Sequence, residues 1–414
     1  MGSAAGLIDT KRAAGERENG GGEPHASIPW RVAIVQRTLP HYRLGTFGRI
    51  LAASAPGSTL IHGRVRSTSQ PKQNAYLEPV KFPRLALGCV SMPLRFGEQL
   101  VYPVFMPGLV RTLRRLRPDV IVCEGESNLL NNFGIVRYAR RAGIPYIWWG
   151  LGAIPGGRPS GLRGIFQGTL RRMISGAGGV ACYSQTGRDH YVAQGARPET
   201  CRVIPNVLDD ASSAAGIARY ADEAAAHRAS LGVGPDDLVL LTVGSLEAPK
   251  RIGLALEAVS RLRQSLSRRI HYWIVGDGPE RGQLEAAAAS MGLSDVRFFG
   301  ARYDDVSLYF LMADLFVLPG LGGLAINQAM MHGLPVVCGP ADGTERDLFD
   351  GGNVGRLLDR VTPEALAGAI AELSQTNLRA MGEAARQRIA TGFTLQHQLR
   401  AMADLIGAVM ARRT

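Results

Sequence analysis

Two successive series of short, unbroken apolar runs constrain this chain more than any other feature. The first comprises Arg31 to Val35, Pro118 to Cys123, Gly143 to Trp149, Gly179 to Tyr183 and Cys201 to Ile204. The second comprises Leu238 to Val243, Tyr272 to Val275, Val296 to Phe299, Leu315 to Leu318 and Val336 to Cys338. None of them alternates apolar with polar, so each suits a parallel strand buried on both faces. Helical patterns fill the intervals, at Thr46 to Ala53, Leu129 to Ala142, Gly253 to Leu266 and Pro279 to Met291. In the third of these, Leu256, Val259 and Leu262 recur at helical spacing. The fold class is therefore α/β: two tandem Rossmann-like, doubly wound domains facing across a cleft. The expected boundaries are a polar, glycine-rich, disordered tail (1–27), a first domain (28–207), a linker with a helix (208–232) and a second domain (233–394). A closing amphipathic helix (395–414) can pack on the second domain or cross back to the first.

Charge separates the two halves. Residues 1–207 carry 27 Lys+Arg against 11 Asp+Glu, net +16; residues 208–414 carry 20 against 24, net −4, within an overall +12. A basic first half calls for an anionic partner. Arg111, Arg114, Arg115 and Arg117, with Arg171 and Arg172, are the densest group. They read either as a membrane-facing patch or as a solvated arginine-rich face. Nucleic acid is not expected, because no aromatic residues interleave the basic ones in a recognisable module. The five cysteines are scattered, which argues for a reducing compartment and against a zinc site. His190 and His332 read as surface or packing residues, and no metal or resident cofactor is expected. No apolar run reaches transmembrane length and the N-terminus lacks a signal-like core, so the expected location is cytoplasmic, peripheral at the inner membrane face.

The stretch Ala313 to Val337 carries the chemistry. An apolar strand ends at Pro319. A turn with Gly320, Gly322 and Gly323 follows, then a helical segment from Ala325 to His332, then Gly333-Leu334-Pro335 before another strand. Such a turn lets backbone N–H groups approach a phosphate, and the helix N-terminus adds partial positive charge. Lys250, in VGSLEAPK after the strand ending at Val243, is a cation placed to face an anion in the cleft, or else an exposed loop lysine. Gly276-Asp277-Gly278-Pro279 lacks the dinucleotide spacing, and Pro279 removes an N–H, so it reads as a tight strand-to-helix turn. Asp236-Asp237 and Asp304-Asp305 are adjacent pairs, not D-x-D, and read as surface turns.

The segments VGSLEAPK, WIVGDGPERGQL, VRFFG, YFLMADLFVLPG and QAMMHGLPVV, in this order and at these intervals, resemble family 4 glycosyltransferases, retaining enzymes of the GT-B fold. The likeness is specific over roughly residues 238–358. It is weaker in the first half, where Leu39 to Arg43, Pro118-Asp119 and Ile204-Pro205-Asn206 are similar. It implies a nucleotide-sugar donor on the second domain, an acceptor on the first and no D-x-D metal motif. Lys250 would then stabilise the donor diphosphate. Gly244 and Ser245 would flank it, and the backbone of Gly320, Gly322, Gly323 and Leu324 would cradle the phosphates. Phe299, Ala301 and Arg302 would lie near the base, and Gln328 on the ribose. Tyr42, Arg43, Gly150 and Leu151 would face the acceptor.

The chain departs from the family at four of these positions. The family's paired glutamates, eight residues apart, are Gly320 and Gln328 here. Ser245 stands where relatives often have arginine, and Leu151 where many have histidine. The chain thus resembles a variant branch lacking the paired glutamates. Its expected function is a metal-independent retaining transfer to a glycan or lipid-linked acceptor in cell-envelope polysaccharide biosynthesis. The alternative is a catalytically weak relative that binds a nucleotide sugar or a partner protein. An NAD-dependent oxidoreductase is disfavoured by the absence of G-x-G-x-x-G after the first strand.

Overall fold

The computed structural model describes residues 26–64, 79–91, 94–96, 99–101, 103–152 and 166–413. Apart from its last two residues, the tail expected to be disordered lies outside them. Seven parallel strands form the first sheet: β1 (Val32–Gln36), β2 (Thr59–Gly63), β3 (Arg84–Leu87), β4 (Val120–Glu124), β5 (Tyr146–Gly150), β6 (Gly179–Cys182) and β7 (Cys201–Val203). Their spatial order is β7-β6-β5-β4-β1-β2-β3. Six parallel strands form the second: β8 (Leu238–Val243), β9 (Ile270–Val275), β10 (Val296–Gly300), β11 (Leu315–Leu318), β12 (Val336–Cys338) and β13 (Gly355–Leu357), ordered β10-β9-β8-β11-β12-β13. These are the two doubly wound sheets of a GT-B fold.

Every apolar run of the two series forms a strand, because an all-apolar segment removes most surface from water when helices cover both faces. Two flanking layers accordingly pack on each sheet. The runs missed β2, β3 and β13. In β2 only Leu60 and Ile61 are aliphatic, and His62, fully buried, accompanies them; burial lowers its pKa. β3 and β13 are half-buried edge strands that need little apolar content.

The segment 208–232 contains two helices, Asp210–Tyr220 and Ala224–Ser230. The final helix, Leu395–Ala411, presents Leu399, Met402, Leu405, Ile406 and Val409 to the first sheet, among Val32, Ile34, Val120, Val122 and Ile147. Gln398 ties it down twice: its Nε2 donates to the Pro205 carbonyl at 2.7 Å, and its Oε1 accepts from the Thr46 hydroxyl at 2.8 Å. The halves also meet where Asp347 accepts the Gln185 N–H at 2.8 Å, at the start of the helix Gln185–Ala193.

Strand order fixes where a ligand can sit. In the first sheet the winding reverses between β1 and β4, and in the second between β8 and β11. Loops leaving neighbouring strands on opposite sides of such a reversal open a crevice at the carboxyl edge.

Candidate functional site

A cleft of about 1100 Å³ lies between the two carboxyl edges. Gln36 to Thr38, at the end of β1, and Glu124 to Ser127, at the end of β4, line it from the first sheet; Gly244, Ser245 and Glu247, after β8, line it from the second. Gly276 to Pro279 and Ala301 to Tyr303 extend the second wall.

Lys250 closes the short helical turn Ala248–Lys250. Its Nζ donates to the Leu321 carbonyl at 2.8 Å, directly onto the glycine turn after β11. A Cβ on Gly244, which lines the cleft, would lie 3.3 Å from the same Nζ. The ammonium therefore joins the two loops that flank the second reversal point. The turn itself continues into the helix Gly323–Met331, whose N-cap is Gly322 and which has no side-chain cap. Its first-turn N–H groups are those a helix leaves without intrahelical partners. Asp342, from the loop after β12, and Thr344, which opens the helix Thr344–Phe349, abut Gly323.

Gly320 has a steric origin. A Cβ there would sit 2.1 Å from the Pro249 carbonyl oxygen and 2.9 Å from the Lys250 Cα. The Leu321 N–H donates to the same Pro249 oxygen at 2.9 Å. The backbone that carries Lys250 thus fills the volume in which a glutamate side chain would begin. The Gly276 turn is equally close-packed: its φ is +148°, and a Cβ would fall 1.8 Å from the Gly244 carbonyl oxygen. Its glycines serve the contact between two loops.

Of the donor-side positions, Gly244, Ser245, Ala301, Arg302 and Gln328 line the cleft. Lys250, Gly320, Gly322, Gly323 and Leu324 are not among its lining residues; the Lys250 side chain lies between Gly244 and the turn that the other four form. Phe299 is set back in β10, tilted against Tyr309 with ring centroids 4.8 Å apart and edge-on to Trp273 at 5.7 Å. It supports the wall while its neighbours face the cleft. Gln328 is half-buried on the helix Gly323–Met331, where His332 is a packing residue. That imidazole stacks on Phe310, and its two nitrogens meet the Gln328 carbonyl at 2.8 Å and the Ser307 hydroxyl at 3.0 Å. Burial lowers its pKa.

The first-sheet wall brings together all four acceptor-side positions, Tyr42, Arg43, Gly150 and Leu151. The Arg43 guanidinium lies over the rings of Tyr183 (4.9 Å), Trp149 (5.4 Å) and Tyr42 (6.0 Å) and hydrogen-bonds the Tyr183 hydroxyl. Burial raises the Tyr183 pKa against the opposing pull of that cation. Sequence reasoning missed the acids here. Glu124 accepts from the Arg37 backbone N–H at 2.7 Å and from its Nε at 3.0 Å. Glu126 accepts from the buried Tyr191 hydroxyl at 3.1 Å, and that hydroxyl accepts the Gly152 N–H at 3.0 Å. Burial and the Glu126 charge raise the Tyr191 pKa well above the usual phenol range, so the phenol is the donor. The available signal was two carboxylates, CEGES, at the carboxyl end of an apolar strand. Among the described residues, no group of three or more His, Cys, Asp or Glu is arranged to hold a metal ion, and no helix is long and apolar enough to cross a membrane.

Two family models match, one in each half: a glycosyl transferase 4-like domain over residues 64–207 and glycosyl transferases group 1 over residues 223–388. Among curated proteins, the chain is 31% identical over 157 residues to the lipopolysaccharide core biosynthesis glycosyltransferase LpsE of Rhizobium meliloti, covering 37% of this chain and 44% of that protein. It is 34% identical over 123 residues to the lipopolysaccharide glucosyltransferase WaaG of Escherichia coli, covering 28% and 32%. The chain thus matches less than half the length of these curated relatives. Among solved structures, Anabaena Alr3699/HepE in complex with UDP and glucose superposes with a TM-score of 0.67 at 17% identity, covering 91% of this chain and 99% of that one. A glycosyltransferase from Rickettsia africae gives a TM-score of 0.70 at 14% identity, covering 92% and 98%.

Proposed function

We propose, from the place in the GT-B glycosyltransferase superfamily that both family models and the fold give this chain, that it is a retaining, metal-independent glycosyltransferase. It moves a sugar from a nucleotide-sugar donor to a lipid-linked or other cell-envelope glycan acceptor. The observation that carries this reading is the cleft between two switch points, with Lys250 bound to the glycine turn at its second-domain edge. A diphosphate lying along that turn meets uncapped helix N–H groups and the Lys250 ammonium. Retention proceeds by front-face attack, with the leaving diphosphate assisting the acceptor hydroxyl. The protein's part is then to position both substrates and to stabilise the departing charge, which lowers the barrier by several kcal/mol. LpsE and WaaG, named for lipopolysaccharide synthesis, support an envelope acceptor, and HepE, solved with UDP and glucose, supports the donor class.

The first domain would meet an anionic membrane surface at the cytoplasmic face. Arg111, Arg114, Arg115 and Arg117 are exposed on and beside the helix Leu109–Leu116, and Phe105, Leu130 and Phe133 are exposed on neighbouring elements that pack together. Cations beside apolar side chains suit such a surface.

A panel of nucleotide diphosphates and their sugars, screened by melting temperature and then assayed for product, tests the donor. NMR of the new anomeric centre tests retention, and turnover after exhaustive EDTA treatment tests metal independence. Binding with no product on any acceptor or on water supports the second reading, a nucleotide-sugar-binding relative. The absence of functional side chains at Gly320 and of histidine at Leu151 favours that alternative.

A further inference from the structure

Resting on the donor site proposed above, we infer that Glu126 is the residue that binds a hydroxyl of the donor's sugar. The resemblance puts a glutamate and a histidine at the positions of Gly320 and Leu151, and neither side chain here can hydrogen-bond a sugar. At Gly320 no side chain fits at all, since Pro249 and Lys250 occupy the space. The sugar needs a polar partner from another part of the cleft, because a hydroxyl buried without one loses its hydrogen bonds to water.

Glu126 lies beside Gly150, next to the position where Leu151 stands in place of the histidine. It leaves the carboxyl edge of β4 next to the end of β5, and it lines the cleft together with Gly150 and Leu151. Its Oε2 is so close over Gly150 that a Cβ there would come within 3.0 Å of it and 2.3 Å of the Tyr191 hydroxyl. Tyr191, fixed by the Gly152 N–H, holds that oxygen in place. The other oxygen, Oε1, is shielded from solvent and has no hydrogen-bond partner among the described residues. A carboxylate oxygen is an acceptor only, so the group that completes it is a donor such as a sugar hydroxyl. One oxygen is thus clamped for position and the other left for ligand. Asn128, Asn131 and Asn132 brace the backbone of this turn: Asn132 Nδ2 donates to the Glu124 and Gly125 carbonyls at 2.9 and 2.8 Å, and Asn131 Nδ2 donates to the Asn128 side chain at 2.7 Å. Tyr191 is a positioning residue, acting through Glu126.

The experiment compares binding of a nucleoside diphosphate with that of its sugar by calorimetry, in the full chain and in Glu126→Gln and Tyr191→Phe. UDP with UDP-glucose is the first probe pair, followed by the GDP, ADP and dTDP pairs. Wild type is expected to bind the nucleotide sugar more tightly than the bare diphosphate. Glu126→Gln should keep diphosphate affinity and lose at least about tenfold of the sugar's increment, as expected for a hydrogen bond to a charged group. Tyr191→Phe should lose a smaller part of the same increment. A Glu126→Gln protein that keeps the whole increment overturns the inference and leaves the donor site standing. Loss of bare diphosphate affinity without any change in the increment also overturns it, since the carboxylate would then be shaping the nucleotide site. If wild type binds no diphosphate of the panel, the donor site itself is wrong, and this inference falls with it.

Discussion

The two walls of the cleft are built in different ways. On the second-domain side the loops meet backbone to backbone: Gly244 and Gly276 in the wall, and Gly320 outside the lining, each lie where another loop's main chain or Lys250 leaves no room for a side chain. The first-domain wall is mostly paired side chains: Arg37 with Glu124, Arg43 with Tyr183 and Trp149, Glu126 with Tyr191. The close backbone contact of the second domain tolerates little change in shape, and in the proposed function it would serve what all the donors share, a diphosphate. A side-chain wall can be altered one group at a time, which suits acceptors that differ between relatives. This contrast predicts that substitutions in the two walls fail differently.

The largest effect is expected at Lys250. Lys250→Ala should lower kcat by about 10²–10³, the usual loss for one preorganised group that stabilises transition-state charge. Melting temperature, measured alongside, separates that loss from damage to the turn that Lys250 joins through Leu321. Turnover equal to wild type would end its role.

Restoring the family's acid is the sharper test of a backbone wall. If the glycine were simple decay, Gly320→Glu would improve donor binding. With a Cβ 2.1 Å from the Pro249 oxygen, it should instead destabilise the protein by about 3 kcal/mol, the upper range for overpacking, and weaken diphosphate binding. Denaturant titration and calorimetry read both.

On the other wall, Arg43→Lys keeps the charge and loses the planar group that lies over three rings. About 1 kcal/mol of stability should go, with diphosphate affinity unchanged. A fall in diphosphate affinity would erase the distinction between the walls.

The smallest effect is expected at Asp347, which joins the two halves through the Gln185 N–H. Burial raises its pKa above the usual carboxylate value. The folded state therefore holds the proton more tightly than the unfolded one, so stability declines as pH rises through the folded pKa. Asp347→Asn, which keeps an acceptor oxygen, should melt slightly higher than wild type at pH 8 and indistinguishably from it below the unfolded carboxylate pKa, at about pH 3. The opposite sign at pH 8 would mean that the carboxylate is worth more to the Gln185 helix terminus than its burial costs.

Much of this was legible in the residues. Apart from β2, whose run is broken by His62, the interior strands of both sheets announced themselves as apolar runs, because a strand covered on both faces has no polar side to show. The edge strands β3 and β13 did not, since an edge buries too little to need an apolar pattern. The glycine turn and Lys250 were also legible: local backbone geometry needs particular residue types at fixed spacing. Glu126 was not. Its partner Tyr191 is 65 residues away, and no spacing rule links a turn after β4 to a helix after β6.

The sequence by itself therefore determined the two doubly wound domains, the glycine turn at Gly320 to Gly323 and the lysine beside it, since these rest on local periodicity and backbone conformation. Only the tertiary structure decided why Gly320 is bare and which acids face the cleft. Both depend on how closely two loops from distant strands approach, and that distance is set by sheet order and packing, which no local pattern encodes.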